Sequence, residues 1–215
     1  MPSPRILLPA AAVGLALVAA GCLGVDPGRA TSDARDVAAF SRVSAGDQVD
    51  VEVRSGDARR VVVRAGEKVI GDVRTEVRDG VLYVSYDGPG VRDGRLLVEA
   101  TVTQLDGIEV TGRGDVRARE LDARELDLRV TGAGDLDAAG RVDRLDADVE
   151  GAGDADLGEL EARAARIEVN GSGDADVHAT ERLDAAVRGA GDLEYRGDPA
   201  LRQRVTGSGE LQQVG

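Results

Sequence analysis

One short phrase recurs six times in the second half of this chain: an apolar residue, any residue, Gly, any residue, Gly, and an acid. The copies start at Val110, Val130, Val149, Val169, Val187 and Val205. They carry Gly112-Arg113-Gly114-Asp115, Gly132-Ala133-Gly134-Asp135, Gly151-Ala152-Gly153-Asp154, Gly171-Ser172-Gly173-Asp174, Gly189-Ala190-Gly191-Asp192 and Gly207-Ser208-Gly209-Glu210. Their second glycines are separated by 20, 19, 20, 18 and 18 residues. A fixed period near twenty is the signature of a solenoid, in which each repeat forms one coil stacked on the last.

The residues between the phrases decide which solenoid. Ala118-Arg119-Glu120-Leu121-Asp122 and its copy Ala123–Asp127 favour helix by propensity, as does Glu159–Arg166. Apolar residues nevertheless alternate into each phrase: Leu126, Leu128, Val130; Leu145, Ala147, Val149; Ala165, Ile167, Val169; Leu183, Ala185, Val187. A period of two means half-buried strands, so two or three strands per coil with tight corners is the expectation. A strand-plus-helix repeat would want a recurring corner Asn, and Asn170 is the only asparagine in the chain. The expected fold is all-β: a parallel β-helix or solenoid with coils of 18–20 residues.

Residues 37–104 read as a more irregular β part of the same domain, preceding the coils of 105–215. Val49, Val51 and Val53, then Val81 and Tyr83, then Leu96, Val98, Ala100 and Val102 alternate with polar residues. Asp79-Gly80 between Val77 and Val81 predicts a two-residue hairpin. Only 2% of residues are aromatic (Phe40, Tyr83, Tyr86 and Tyr195), so the core must be Val, Leu, Ile and Ala. Such a core suits thin stacked layers.

At a corner, glycine adopts positive φ without steric cost and leaves room where adjacent coils press together. The neighbouring acid can accept bonds from N–H groups that the turn leaves unpaired. Stacking at about 4.8 Å would bring Asp115, Asp135, Asp154, Asp174, Asp192 and Glu210 into one column. Neighbours in it would repel by roughly 1 kcal/mol in water. Turn N–H bonds, exposure, nearby Arg or a cation must offset this. Structural capping is the preferred reading. The alternative is calcium, with Asp135, Asp154 and Asp174 as ligands, although calcium-binding nonapeptide solenoids repeat their motif twice as often.

The N-terminus reads as an address. Arg5 precedes the apolar run Ile6–Ala20, which is shorter than the ~20 residues of a membrane span, so 1–21 is expected to be an export signal. It ends Val18-Ala19-Ala20-Gly21-Cys22, which resembles a bacterial lipobox, and Cys22 is the only cysteine. Cys22 is therefore the expected lipidation site and membrane contact, with 22–36 a flexible tether. Leu23 after it resembles an outer-membrane destination in a cell with two membranes. Without residues 1–21, the formal charge of −13 becomes −14, which disfavours nucleic acid as a partner.

Catalytic signatures are missing. His178 is the only histidine, no Cys/His cluster exists for zinc, and no Gly-x-Gly is followed by the Lys-Ser/Thr of a phosphate loop. Two Arg-Gly-Asp tripeptides, 113–115 and 196–198, are what this composition produces by coincidence.

The Gly-Ala/Ser-Gly-Asp corners, the closing Leu193-Glu194-Tyr195-Arg196-Gly197-Asp198-Pro199, and the opening Phe40-Ser41-Arg42-Val43 before Val49–Val53 together resemble a known family. It is the bacterial "putative auto-transporter adhesin, head GIN domain" family, over about residues 38–212. The resemblance implies an exported protein, often a lipoprotein, with a right-handed β-helix and no established catalytic or binding residues. The expectation is a non-catalytic envelope lipoprotein that needs no cofactor and binds an envelope polymer or protein. Its end coil would be suited to self-association. A polysaccharide-processing enzyme and a calcium-stabilised solenoid are the alternatives.

Overall fold

From Gly107 onward each repeat becomes one coil of parallel β-structure in the computed structural model, which describes residues 24–92 and 94–214. The strands before this point are β1 (Ala30–Arg35), β2 (Arg42–Ala45), β3 (Asp50–Ser55), β4 (Arg60–Gly66), β5 (Val73–Arg78), β6 (Val81–Tyr86) and β7 (Leu97–Val102), with a 3₁₀ turn at Ile70–Asp72. The repeats supply β8 (Gly107–Val110), β9 (Val116–Val130), β10 (Leu136–Val149), β11 (Ala155–Val169) and β12 (Ala175–Val187). They close with β13 (Leu193–Arg196), β14 (Ala200–Val205) and β15 (Leu211–Gln213). The result is a parallel β-solenoid of about 5 turns.

Stacking holds the repeats in register. Leu126 pairs with Leu145, Leu145 with Ala165, Ala165 with Leu183 and Leu183 with Leu201. Val130, Val149, Val169, Val187 and Val205 form a parallel column. Inward columns mix large and small residues, so Leu128, Ala147, Ile167 and Ala185 share one slot and remain buried. The alternation that signalled strands thus places every second residue in one continuous aliphatic core.

Four of the coils are one long bent strand each rather than two or three separate ones, while the last is divided into β13 and β14. The strands β9 to β12 run 13 to 15 residues without interruption. The chain bends mid-strand through register shifts, between Ala138 and Gly140 and between Leu157 and Glu161, so ladder bonds continue on both sides. Glu120 at φ 58 and Gly140 at φ 141 supply the bend in their coils. The helix propensity of these stretches is overridden because a helix would withdraw their N–H and C=O groups from neighbouring coils.

The N-terminal part caps this stack. On one flank β9 is followed by β3, β7, β4 and β1; on the other β9 is followed by β8, β2, β6 and β5. Pairings turn antiparallel at β4–β7, β1–β4 and β5–β6. Asp79 and Gly80, both at positive φ, form the two-residue turn that joins β5 to β6.

Ala30–Arg35, read from sequence as the end of a tether, instead form β1 and pair with β4 along their whole length. The segment lacks an apolar pattern because it is an outermost strand whose side chains bury no face. Cys22 and the rest of residues 1–23 lie outside the described residues.

Candidate functional site

The corners are where the repeat phrase acts, and the reason for glycine there is crowding. A Cβ at Gly132, Gly134, Gly151, Gly153, Gly171, Gly173, Gly189, Gly191, Gly207 or Gly209 would lie 2.0–2.2 Å from the carbonyl oxygen of the equivalent glycine one coil earlier. For Gly112 and Gly114 the atoms met are the Asp47 and Val49 carbonyl oxygens, at 2.2 and 2.1 Å. Positive φ, the other reason given for glycine, applies at Gly207 alone among these twelve. Close approach lets each corner bond to the next. The N–H of Ala133 donates to the Gly112 carbonyl at 2.9 Å, and Ala152, Ser172, Ala190 and Ser208 donate to Gly132, Gly151, Gly171 and Gly189 at 3.0–3.1 Å.

The acids form a ladder. The Asp135 N–H donates to Oδ1 of Asp115 at 3.3 Å, Asp154 to Asp135 at 2.9 Å and Asp174 to Asp154 at 2.8 Å. Asp192 donates to Asp174 and Glu210 to Asp192, both at 2.7 Å. Each of the five aspartates therefore accepts from the following coil, and Glu210 ends the ladder as a donor only. Charge-assisted bonds of this kind offset the repulsion along the column. Among the described residues no group of three or more His, Cys, Asp or Glu is arranged to hold a metal ion.

One rung came from outside the repeats. Asp50 accepts the Asp115 N–H at 3.1 Å through Oδ1, and Arg95 Nε donates to its Oδ2 at 2.6 Å. That bond holds the Arg95 guanidinium above its ordinary pKa. Ala45, Asp50 and Val51 align with Val110, Asp115 and Val116 in the stack. The 46–49 segment is thus a corner without Gly-x-Gly, and Asp47 takes φ 56 there while its carboxylate accepts the Tyr86 N–H at 3.0 Å. Its only signal in the sequence is the spacing of an apolar residue, four residues and an acid.

Beside the ladder, the outer face of β2, β8, β9 and β10 forms an open groove of about 480 Å³ lined by Arg42, Ser44, Tyr83, Glu109, Asp127, Arg129, Asp146, Asp148 and Arg166. Its charges pair across coils: Arg42 with Asp127 at 3.0 Å, Arg129 with Asp148 at 3.3 Å and Arg166 with Asp146 at 3.3 Å. Ser44, itself buried, donates to Glu109 at 3.1 Å. Tyr83 is 38% exposed, with the Arg78 guanidinium 4.8 Å from its ring centre. Burial, then the Asp146 charge, pushes the Asp148 carboxyl above the usual carboxylate range. Glu168, two coils from Arg129 in the register, is held below its ordinary value chiefly by a bond from Arg188.

The remaining candidates are dispersed. His178 is half-buried and pairs in register with Arg196, far along the chain from the groove strands. Arg196, in the second Arg-Gly-Asp, is engaged with Asp176 at 2.7 Å. Desolvation raises the Asp176 carboxyl. A side chain at Gly158 would collide with both groups of this pair, with a Cβ 2.2 Å from Arg196 Nη1 and 2.7 Å from Asp176 Oδ2.

A rigid solenoid with its repeated acids engaged within the stack and a polar groove on its outer face defines a repeat protein that presents a surface. Sequence comparison gives the family: a profile described as "Putative auto-transporter adhesin, head GIN domain" matches residues 39–199, and the chain belongs to that family. Solved structures share the fold. A putative adhesin from Bacteroides fragilis is 23% identical, with TM-score 0.74, over 89% of this chain and 100% of that one. A putative adhesin from Parabacteroides merdae is 18% identical, with TM-score 0.53, over 88% and 98%. A protein from Parabacteroides distasonis described as a putative lipid binding protein is 20% identical, with TM-score 0.51, over 87% and 98%. No curated protein matches the chain.

Proposed function

We propose that the protein is a non-catalytic binding module of the bacterial envelope, exported and anchored through a lipid on Cys22, that holds an extended envelope polysaccharide along its outer face. The observation that carries this reading is the groove beside Tyr83. Its alternating Arg and carboxylate side chains offer donors and acceptors in a fixed row, and Tyr83, with Arg78 over its ring, offers the part of that ring left exposed to a sugar. The adhesin names of the family and of the structural relatives agree with surface binding. A polar groove suits hydroxyl-rich polymers better than acyl chains, so the lipid-binding name of one relative is not carried over.

Binding to purified envelope polysaccharides, measured by calorimetry, tests it. Tyr83→Ala should weaken binding about fivefold to tenfold, the loss of ~1 kcal/mol of ring contact. Cys22→Ala should release the protein from membranes into the soluble envelope fraction without changing that affinity. No binding to any envelope polysaccharide, or unchanged binding by Tyr83→Ala, would contradict the reading.

A second reading rests on Asp148. Its carboxyl is raised by burial and by Asp146, against the opposing charge of Arg129, and a raised carboxyl in a groove is a feature general acids share, so an enzyme acting on the same polymers is the competitor. Polymer cleavage abolished by Asp148→Asn would establish it.

A further inference from the structure

The two ends of the solenoid differ. At the N-terminal end the parallel layers are covered by antiparallel β4, β1 and β5. At the other end β14 pairs with β12 and β15 with β13, and no strand among the described residues lies on their outer side. The core columns run out at the same place. Leu183, Val187 and Leu193 are 0% exposed, whereas their register partners Leu201 and Leu211 are half-buried and Val205 is 43% exposed.

The charge pattern on this edge is also incomplete. One outward column reads Asp146, Arg166, Asp184, Arg202; the next reads Asp148, Glu168, Ala186, Arg204. Inside the stack these columns make ion pairs across coils, Arg166 with Asp146 at 3.3 Å and Arg188 with Glu168. Arg202 and Arg204 are exposed, and among the described residues neither makes an ion pair. The last strand therefore offers backbone bonding groups, two apolar side chains on one face and two cations on the other.

We propose that this end binds an acidic β-strand of a partner protein, added to the free edge of β14. Carboxylates at alternate positions face Arg202 and Arg204, and apolar side chains on either side of them cover Leu201 and Val205. Strand addition supplies affinity through main-chain bonds and specificity through alternate side chains. The required pattern exists in this chain: Leu145-Asp146-Ala147-Asp148-Val149 occupies the columns that end in Leu201, Arg202, Gln203, Arg204 and Val205. A second copy fits less well. On its outermost strands the acids already have partners, Asp33 with Arg35 on β1 and Glu76 with Arg78 on β5, while β14 brings Arg202 and Arg204 themselves, and like charges facing across a strand pair repel. Residues 1–23 contain no acid to serve as the strand.

A fluorescent peptide carrying Leu-Asp-Ala-Asp-Val between Gly-Ser flanks, titrated with the full-length chain and read by anisotropy, tests the proposal. Saturable binding is expected, weakened at least about tenfold by R202E/R204E, a loss of ~1.4 kcal/mol. A peptide with both Asp changed to Arg should fail on the native chain and bind the R202E/R204E chain, whose melting temperature should match the native one because both side chains are exposed. Three results would overturn the proposal. One is no saturable binding up to about 1 mM, the weak limit of specific association. Another is affinity indifferent to either charge reversal. The third is a dimer in ultracentrifugation that R202E/R204E dissolves, which would make a second copy the occupant.

Discussion

A β-carbon on Gly153 would stand 2.1 Å from the Gly134 carbonyl oxygen and 2.9 Å from its carbon, backbone atoms that cannot turn aside as a flexible side chain could. Gly153→Ala should therefore cost at least about 2–3 kcal/mol in equilibrium unfolding, at the upper end of what overpacking costs. Gly71→Ala, with nothing within 4 Å, should cost almost nothing. Asp148 gives a prediction with a pH sign. Its folded-state pKa is raised by burial and by Asp146, so folding disfavours the charged carboxylate. That loss of stability is present above the raised pKa and disappears as pH falls through it to the ordinary carboxylate range. Asp148→Asn should thus melt at a higher temperature than the native chain near neutral pH, and the gap should close by about pH 3–4, where the native carboxyl is also neutral. The crowding at Gly153 is legible in the repeat phrase, whereas the environment of Asp148 is not. Asp148 looks like any other alternating acid, and only the stack shows that Asp146 and Glu168 surround it.

At the scale of the coil, periodicity carried most of the information. The spacing of the Gly phrases placed the stacking positions, and the alternation around Leu145, Ala147 and Val149 identified strands where propensity favoured helix. Three features stayed hidden for physical reasons. The mid-coil bends use bulges that interrupt the ladder only locally and carry no recurring punctuation, since Glu120 at φ 58 serves in one coil and Gly140 at φ 141 in the next. Strand β1 buries no side-chain face and so has no apolar rhythm to detect. The corner between β2 and β3 has Asp47 and Val49 against Gly112 and Gly114 of the next coil, so no Gly phrase marks it in the sequence. The order of stability should follow the stacking. Native-state hydrogen exchange should be slowest in β10 and β11, which are covered by coils on both sides, and fastest in β14 and β15. Equal protection from β10 to β15 would mean that an additional layer covers the free end.

Across the whole molecule, repetition solves two problems together. It lets an aliphatic core with almost no aromatics remain continuous over about 5 turns. It also lets a chain with a formal charge of −13 pair many of its acids across coils, as in Arg163 with Asp143 and Glu181 at 3.6 and 2.9 Å. The corner phrase, with its columns of Asp and Gly, is the part of this design most easily mistaken for a binding motif. Its carboxylates are acceptors for the next coil, and Asp154 decides between that role and an ion. In the ladder an amide oxygen can replace the carboxylate, because it still accepts the Asp174 N–H and removes one charge from the column. A calcium site would lose a required anion. The decisive measurement is the unfolding free energy of Asp154→Asn and Asp154→Ala, with and without calcium. Asp154→Ala should lose about 1–2 kcal/mol, the cost of an N–H left without its acceptor, Asp154→Asn should lose less than half of that, and calcium should change neither. Equal losses in the two variants, with the native chain alone stabilised by calcium, would contradict the structural role of the ladder.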